Sequence, residues 1–515
     1  MSGTPDFSNH LFKRKNDHRA WLRIIVLVFW VAIVAFQISN HVLWRDEVRA
    51  LSIALNGDNL IAMLDGLRGE GHPALWYIML RLTYDLVGRV EVLQGLAFLA
   101  AILAVAMLIW RSPFPLALII IILTGHLFLS EYAVIARNYG ISALLLFAIA
   151  DRYATHRARG YVLGSLLFLL ANTNVIAALI VCAFLLFWWL DVISETGLRW
   201  SAQLSTLLLN AIVATAGLAI CAITILPTYN DAAVIDMPAE SLAEAALGAV
   251  VHPGGTSLGS LFGYLVPVAG SLILFISTLG LIGRLSAFVA AIVSLIACAL
   301  ILETAARGDY RHAAVWLSFL IALYWISWKD VAQPFPGWRG WLTLLGRLAF
   351  VLLLGVQSIK SGKELARLTD APRSRSADFA RLIESRPDLA NAVILAEPEY
   401  MAEALPYYLS NSIYHIREHR YAVVSRFSRS GQLDTDLGET LRVGRSLRER
   451  SGKPVVIVLA HRLEKMQPGQ VVREGYNWTF RASAEQIWEF SEATTLLRRM
   501  GPARTDETYD VYLLK

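Results

Sequence analysis

The sequence predicts a mainly α, polytopic membrane protein of about 11 transmembrane helices, followed by a small C-terminal α/β soluble domain. Apolar residues make up 56% of the 515 residues and charged residues only 17%, whereas soluble domains average about 45–50% apolar and about 25% charged. The mean hydropathy is +0.51. Residues 360–515 nevertheless carry 45 of the 87 charged residues, so the charge is concentrated in the tail. This composition excludes a disordered chain, a coiled coil and a single soluble enzyme.

Ten apolar segments approach or exceed the length of about 17–25 residues that a membrane-spanning helix needs. Segment 161–191 is too long for one helix, and the polar run Asn172-Thr173-Asn174 at its middle predicts a turn between two helices. Basic residues precede the first segment and no small-residue cleavage site follows it, which is typical of a retained membrane helix. The spans are expected within 22–39, 92–109, 115–130, 139–151, 161–191 (two helices), 201–226, 259–282, 285–302, 311–327 and 341–358.

Segment 73–87 decides the orientation of the chain. It is apolar but short, and Arg81 and Asp85 would each cost about 2.5–3.5 kcal/mol at mid-bilayer. If it does not span, the loops before the tail place 12 Lys and Arg inside and 8 outside, whereas a spanning segment gives 8 inside and 11 outside. The positive-inside rule therefore favours a helix lying on the external membrane face. The expected parts are a cytoplasmic N-terminus (1–21), a transmembrane domain (22–359) and a periplasmic domain (360–515) of an inner (plasma) membrane protein.

The tail has the patterning of a soluble α/β domain. Short apolar, β-branched runs predict buried strands, and helical spacing of apolar residues predicts the helices between them. The predicted strands are 392–396, 454–459 and 508–514, and the predicted helices are 376–386, 399–410, 436–451 and 483–500.

The loop after the first span opens with an acidic pair, Asp46-Glu47. A carboxylate at membrane level can accept a proton from a hydroxyl group. The alternative is an interfacial helix in which Trp44 anchors at the headgroups and Asp46 pairs with Arg49.

Three further charged clusters lie in the first loop or at span entrances. His72-Pro73 with Trp76-Tyr77 closes the first loop, and the others are segments 131–139 and 307–312. Alternatives are a helix that begins with Pro, and arginines that extend to the headgroups. Under the orientation above, all four clusters share the external face. Together they offer a carboxylate base and arginines that can stabilise a leaving phosphate, as transfer from a lipid phosphate would need.

These motifs resemble the C-type glycosyltransferase superfamily, and within it glycosyltransferase family 39 and its relatives. Those relatives are protein O-mannosyltransferases, the lipid A aminoarabinose transferase and rhizobial galacturonosyltransferases. The resemblance rests on the order of the motifs over residues 20–330: Asp46-Glu47, His72-Pro73 with Trp76-Tyr77, Arg137 with Tyr139, and Tyr310-Arg311-His312.

The resemblance implies a polyprenyl-phosphate sugar donor and transfer with inversion. It implies that Asp46 is the catalytic base. The donor phosphate would be bound by Arg137, Tyr139, Arg311 and His312. Glu47, His72 and Glu131 would support the site.

The sequence leaves a divalent metal open. His72, Glu131, His252 and Asp46 could serve as ligands, but their spacing is not that of a known metal motif. Segment 227–258, with an amphipathic stretch at 238–250, is either a lid over the site or a connecting loop.

The first hypothesis is an integral membrane glycosyltransferase that acts on the external face. The acceptor hydroxyl could belong to lipopolysaccharide, another glycan, a lipid or a protein of the cell envelope. The alternative is a transporter or flippase of lipid-linked sugars without chemistry, and a third reading is a sensor or scaffold built on the tail. The charge pattern gives no indication of nucleic-acid binding. The sugar, the acceptor, the oligomeric state and the role of the tail stay open.

Overall fold

The computed structural model describes residues 20–67, 70–226, 242–263, 267–304, 308–331, 337–367, 370–429, 431–474 and 477–515. Three predicted features lie outside these residues in whole or in part. They are most of the N-terminal segment 1–21, residues 227–241 of the suggested lid, and Arg307.

Each of the eleven predicted spans contains a helix. The eleven helices are α1 (Ala20–Ser39), α5 (Val92–Trp110), α6 (Leu116–Thr124), α7 (Tyr139–His156), α8 (Val162–Ala171), α9 (Val175–Thr196), α10 (Ala202–Ile225), α12 (Pro267–Leu279), α13 (Leu285–Thr304), α14 (Tyr310–Ile326) and α16 (Trp338–Ala366). Six of the helices in the described part of the chain are long and apolar enough to cross a membrane, namely α1, α5, α9, α10, α13 and α16.

The polar run in segment 161–191 ends one helix and begins the next, as predicted. The side chain of Asn174 is the N-cap of α9 and accepts a hydrogen bond from the Ala177 amide at 2.8 Å. Such a cap satisfies one of the amide groups that a helix start leaves without a partner.

Three shorter helices follow α1 before the chain reaches α5: α2 (Arg45–Ala54), α3 (Leu60–Gly66) and α4 (Leu75–Val87). Helix α4 has 13 residues, hence a length of about 20 Å, which is less than the roughly 30 Å of a bilayer core. Its two charged residues, Arg81 and Asp85, pair at 3.0 Å. Its length does not separate it from α12, which also has 13 residues, so the non-spanning placement of segment 73–87 stays a prediction.

The segment after α10 contains helix α11 (Leu242–Val251), which packs against α13. The four-residue helix α15 (Trp328–Val331) follows α14.

The tail is an α/β domain with helices α17 (Ser376–Glu384), α18 (Leu437–Ser451) and α19 (Ala484–Ala493). Its strands are β1 (Val393–Glu397), β2 (Ile413–His415), β3 (Arg420–Tyr421), β4 (Asp434–Asp436), β5 (Val455–Leu459), β6 (Val471–Arg473), β7 (Thr479–Arg481), β8 (Thr494–Met500) and β9 (Tyr509–Leu514). The main sheet has the order β3-β2-β1-β5-β9-β8, with β2, β1 and β5 parallel. A second sheet has the order β4-β7-β6.

Two predicted tail helices were wrong in part. Segment 399–410 forms only two short 3-10 turns, since Pro406 lacks the amide that a continuous helix would use. Segment 483–500 is helical only to Ala493, and its second half is strand β8, which pairs antiparallel with β9. The β-branched pair Thr494-Thr495 opens this strand, and β-branched residues favour strands.

The tail and the helix bundle pack against each other. Ala404 of the tail is fully buried within the hydrophobic core of the bundle, and Tyr407 and Tyr408 pack against the same core. Helix α16 also runs through the predicted domain boundary at residue 360 and ends at Ala366.

Candidate active site

The predicted clusters meet at the Asp46 carboxylate. Its Oδ2 atom lies 3.2 Å from Nη1 of Arg137 and 3.1 Å from Nη2 of Arg311. Nη1 of Arg137 also donates to the Asp46 carbonyl oxygen at 2.6 Å. Because both guanidiniums contact one carboxylate, the structure brings the first loop, the 131–139 segment and the start of α14 to one place.

The position of Asp46 follows from the way α2 begins. Trp44 is the N-cap residue, and Asp46 and Glu47 lie in the first turn, where negative charge is favoured by the helix dipole. The Asp46 side chain keeps 27% of its surface exposed. Burial raises the pKa of the Asp46 carboxyl, but Arg137 and Arg311 outweigh this effect and hold the pKa below its usual range. The group is therefore an ionised carboxylate that faces open space.

Arg137 lies on a short segment that several buried polar groups hold in place. Glu47 is fully buried and accepts a hydrogen bond from the Ala136 amide at 2.7 Å. The Asn138 side-chain amide, through Nδ2, donates to the Thr173 carbonyl oxygen at 2.5 Å. Gly140 permits close packing, because a Cβ atom there would lie 2.8 Å from the Tyr132 carbonyl oxygen.

Glu47 has a structural role as well as a place in the acidic pair. It accepts from Nε2 of His41 at 2.8 Å and so links the end of α1 to the Arg137 segment. Its carboxylate is directed to His41 and the Ala136 amide, and Glu47 does not line the Asp46 cavity. Among the described residues, no group of three or more His, Cys, Asp or Glu side chains is placed to hold a metal ion.

His72 supports Arg137 from the opposite side. Gly71 has a φ of +76°, a conformation that glycine adopts without strain. Nη2 of Arg137 lies 3.2 Å from Nε2 of His72, and Nδ1 of His72 lies 3.3 Å from the Glu70 carbonyl oxygen. Since a guanidinium only donates, Nε2 accepts and Nδ1 carries the proton. Burial and the Arg137 charge lower the pKa of His72 to about 4, so the ring is neutral near pH 7.

Arg311 contacts two carboxylates and an aromatic ring. Its Nη2 donates to Asp46 at 3.1 Å and to Asp309 at 2.9 Å, and its guanidinium lies 5.6 Å from the centre of the Trp44 ring. The side chain is 9% exposed, and its buried Nε has no hydrogen-bond partner among the described residues. Arg311 therefore holds Asp46 from the side of α14, and its Nε is buried.

Tyr139 and His312 form a second hydrogen-bonded pair. The Asp309 amide donates to Nδ1 of His312 at 2.9 Å, so the proton of the neutral ring is on Nε2. Nε2 then donates to the Tyr139 hydroxyl oxygen at 2.8 Å. This pair joins the start of α7 to the start of α14, and Tyr139 is only 2% exposed.

Asp46 opens into a cavity of about 1280 Å³. The helix bundle contributes Asp46, Arg49, His72, Trp76 and Arg137 to its lining, and the tail contributes most of residues 410–428. The tail is therefore one wall of the cavity that contains the predicted base.

Glu131 lies apart from the other predicted site residues, and the alternative pairing of Asp46 with Arg49 does not form. Glu131 does not line the Asp46 cavity. It lines a second cavity of about 290 Å³ with His126, which lies 3.6 Å away. The alternative in which Asp46 pairs with Arg49 also fails, because Arg49 instead contacts Glu70 and Glu403, both at 2.7 Å. Trp44 is only 8% exposed and so is not a headgroup anchor.

His252 is exposed and does not line the Asp46 cavity, and neither do described residues 242–263.

Sequence reasoning gave no role to several residues that complete the site. They are Glu70, Asp309, Glu403 and Glu507. Glu70 and Asp309 lie inside predicted clusters, where an acidic residue beside His72 or Arg311 was the available signal. The two tail residues have no local signal, since their partners are more than 350 positions away.

The chain is therefore a mainly α protein with apolar helices, a charged site at the helix entrances and an α/β tail. No protein-family model matches it, and no curated protein gives a significant match. Among solved structures it is similar to ArnT from Cupriavidus metallidurans in the apo state, with 12% identity and a TM-score of 0.35 over 96% of this chain and 97% of that one. A likeness this distant assigns no activity to the chain.

Proposed function

We propose that the protein is an integral membrane glycosyltransferase that moves a sugar from a polyprenyl-phosphate donor to an acceptor hydroxyl. One observation carries the proposal. An ionised, partly exposed carboxylate, Asp46, is held between two guanidiniums, Arg137 and Arg311, on the wall of a large cavity. A base beside two phosphate-binding cations is the arrangement that displacement of a lipid phosphate requires.

The reaction would be a single displacement with inversion. The acceptor oxygen attacks the anomeric carbon while its proton passes to Asp46. The bond from the anomeric carbon to the phosphate oxygen breaks, and its electron pair stays on the phosphate. Arg137 and Arg311 stabilise the negative charge that develops there.

The ion pairs at Asp46 link donor binding to the release of the base. In the structure both guanidiniums contact the Asp46 carboxylate. A donor phosphate competes for their N–H groups, which releases Asp46 to act as a base. Arg311 and Tyr139 are buried and do not line the cavity, so the phosphate would contact Arg311 from the position that Asp46 occupies.

The proposed site is on the external, periplasmic face of the inner membrane, so the donor lipid stays in the bilayer. The acceptor would approach along the tail wall of the cavity, since residues 410–428 extend the lining away from the helix bundle.

The test is transfer of label from a mixture of radiolabelled polyprenyl-phosphate sugars to membrane extract by the reconstituted protein. Wild type should transfer label. Asp46→Asn should bind donor but not transfer it, and Asp58→Asn, an exposed carboxylate of the same loop, should transfer normally. Equal transfer by Asp46→Asn and wild type would overturn the role of Asp46. Movement of intact donor across the vesicle membrane without transfer of its sugar would overturn the glycosyltransferase proposal and favour a flippase.

A further inference from the structure

The tail binds the beginning of the helix that carries Asp46. Glu507 accepts a hydrogen bond from the Arg45 amide at 2.7 Å. Asp506 accepts from the Arg45 guanidinium at 2.6 and 3.0 Å. Both acidic residues lie just before strand β9, so the tail contacts the residue directly before Asp46 through its backbone and its side chain.

A second contact holds the same helix one turn later. Nη1 of Arg49 donates to Glu403 of the tail at 2.7 Å, and its Nη2 donates to the Ser425 carbonyl at 3.0 Å. Glu403 is itself fixed, because it accepts from the Ser425 amide at 2.7 Å. Arg49 also contacts Glu70 of the first loop at 2.7 and 2.9 Å.

The backbone just before the helix is held as well. The Leu43 amide donates to the Tyr408 hydroxyl at 3.0 Å, and the Ser376 hydroxyl donates to the Leu43 carbonyl at 2.9 Å. Tail groups thus bind residues 43, 45 and 49, on both sides of Asp46 in the sequence.

These contacts suit the needs of a helix start. The first amide groups of a helix have no partner within the helix, and a carboxylate at that end is favoured by the helix dipole. Glu507 supplies such a carboxylate from the tail. A displacement of about 1 Å at a reacting group can cost about 100-fold in rate, so groups that fix α2 also fix the geometry between Asp46, Arg137 and Arg311.

We propose that Glu507 and Glu403 are positioning residues that hold the Asp46 helix against Arg137 and Arg311, which makes the C-terminal domain a working part of the active site. The catalytic consequence rests on the proposed function, whereas the positional consequence does not. The two can therefore be tested separately.

The positional test is hydrogen exchange measured by mass spectrometry on the full-length protein in detergent. Glu507→Gln and Glu403→Gln should speed exchange of the peptide covering residues 43–50 by about tenfold or more, and exchange in β5 and α5 should stay unchanged. Glu489→Gln is the matched control, because Glu489 is an exposed tail carboxylate that pairs with Arg445. It should leave the 43–50 peptide unchanged.

Asp506→Asn guards against loss of the tail fold. Asp506 is 54% exposed, so its substitution removes the Arg45 pair without disturbing a buried group. It should speed exchange at 43–50 with β5 unchanged. Unchanged exchange at 43–50 in all three interface variants would overturn the inference, whatever their activity.

The catalytic test is transfer kinetics on the same variants. Glu507→Gln and Glu403→Gln should lower kcat by about tenfold or more with donor KM within about twofold, and Glu403→Asp should recover part of the loss. Faster exchange at 43–50 with unchanged kcat would overturn the catalytic consequence. Faster exchange with no transfer by wild type would support positioning and overturn the proposed function.

Discussion

Nη2 of Arg311 donates a hydrogen bond to Oδ2 of Asp46 at 3.1 Å, although 265 positions separate the two residues in the chain. Arg311 lies in the first turn of α14 and Asp46 in the first turn of α2, so the pair joins the start of a late helix to the first loop. The same Arg311 nitrogen also donates to Asp309 at 2.9 Å. In the proposed reaction the donor phosphate would contact the guanidinium that Asp46 contacts in the structure.

Arg311→Gln should lower kcat by about 100- to 1000-fold, because it removes a positive charge at the position where the leaving phosphate gains negative charge. Arg311→Lys should lose less, since an ammonium keeps the charge but cannot present the same fork to two acceptors. The measurement is single-turnover release of label from the donor. Arg498→Gln, an exposed arginine of β8, is the control. A loss below about twofold in Arg311→Gln would contradict the phosphate role.

The pH profile should report His72. Its pKa is lowered to about 4, so the ring stays neutral, and accepts from Arg137, until the pH falls to that range. The pKa of Asp46 is also held low, so the base stays ionised. We expect kcat/KM to be flat from about pH 6 to 8 and to fall below about pH 5. In His72→Gln the fall of kcat/KM at acid pH should move to a lower pH, because His72 no longer titrates there. A wild-type limb near pH 6.5 would contradict the neutral, buried His72.

Glu47→Gln should lower the free energy of unfolding by about 1–3 kcal/mol, the cost of a buried group that loses its partner. The fully buried carboxylate accepts from His41 and from the Ala136 amide, and a carboxamide places a donor against one of them. Thermal unfolding in detergent measures the loss, with Glu489→Gln as the control. An unchanged midpoint would contradict the linking role of Glu47.

The helices of the bundle could be predicted because a bilayer requires long apolar segments. Each predicted segment contains a helix. The split at Asn172-Thr173-Asn174 was also readable, since Asn is a good helix N-cap. Strand β8 could not be predicted in the same way. Its residues match a helical spacing, and the β-branched pair Thr494-Thr495 together with the antiparallel pairing with β9 makes them a strand.

The site could be predicted where charge lies at a span entrance. Asp46, Arg137, Arg311 and His72 form one contact network, and Tyr139 and His312 form a second pair. Glu131 followed the same rule but lies in the second cavity, because its direction depends on the turn that Leu127–Glu131 makes. Contacts from the tail, such as Glu403 with Arg49, could not be predicted, because no pattern in a single sequence relates residues so far apart.

Glu131→Gln should therefore keep kcat within about twofold of wild type, as expected of a group that contacts neither donor nor base. Its carboxylate lies 3.6 Å from the His126 ring, and it does not line the Asp46 cavity. Transfer assays beside Asp46→Asn provide the comparison. A loss comparable to that of Asp46→Asn would return Glu131 to the site.

Tyr421→Ala should raise acceptor KM about three- to tenfold and leave donor KM unchanged. Tyr421 lines the tail wall of the cavity and is 52% exposed, and its ring centre lies 5.1 Å from that of Tyr414, which holds it in place. An aromatic contact of about 0.5–1.5 kcal/mol corresponds to this change. Trp488→Ala, which removes an exposed tail aromatic outside the cavity lining, should change neither KM. A rise in donor KM instead would place the donor sugar, and not the acceptor, against the tail wall.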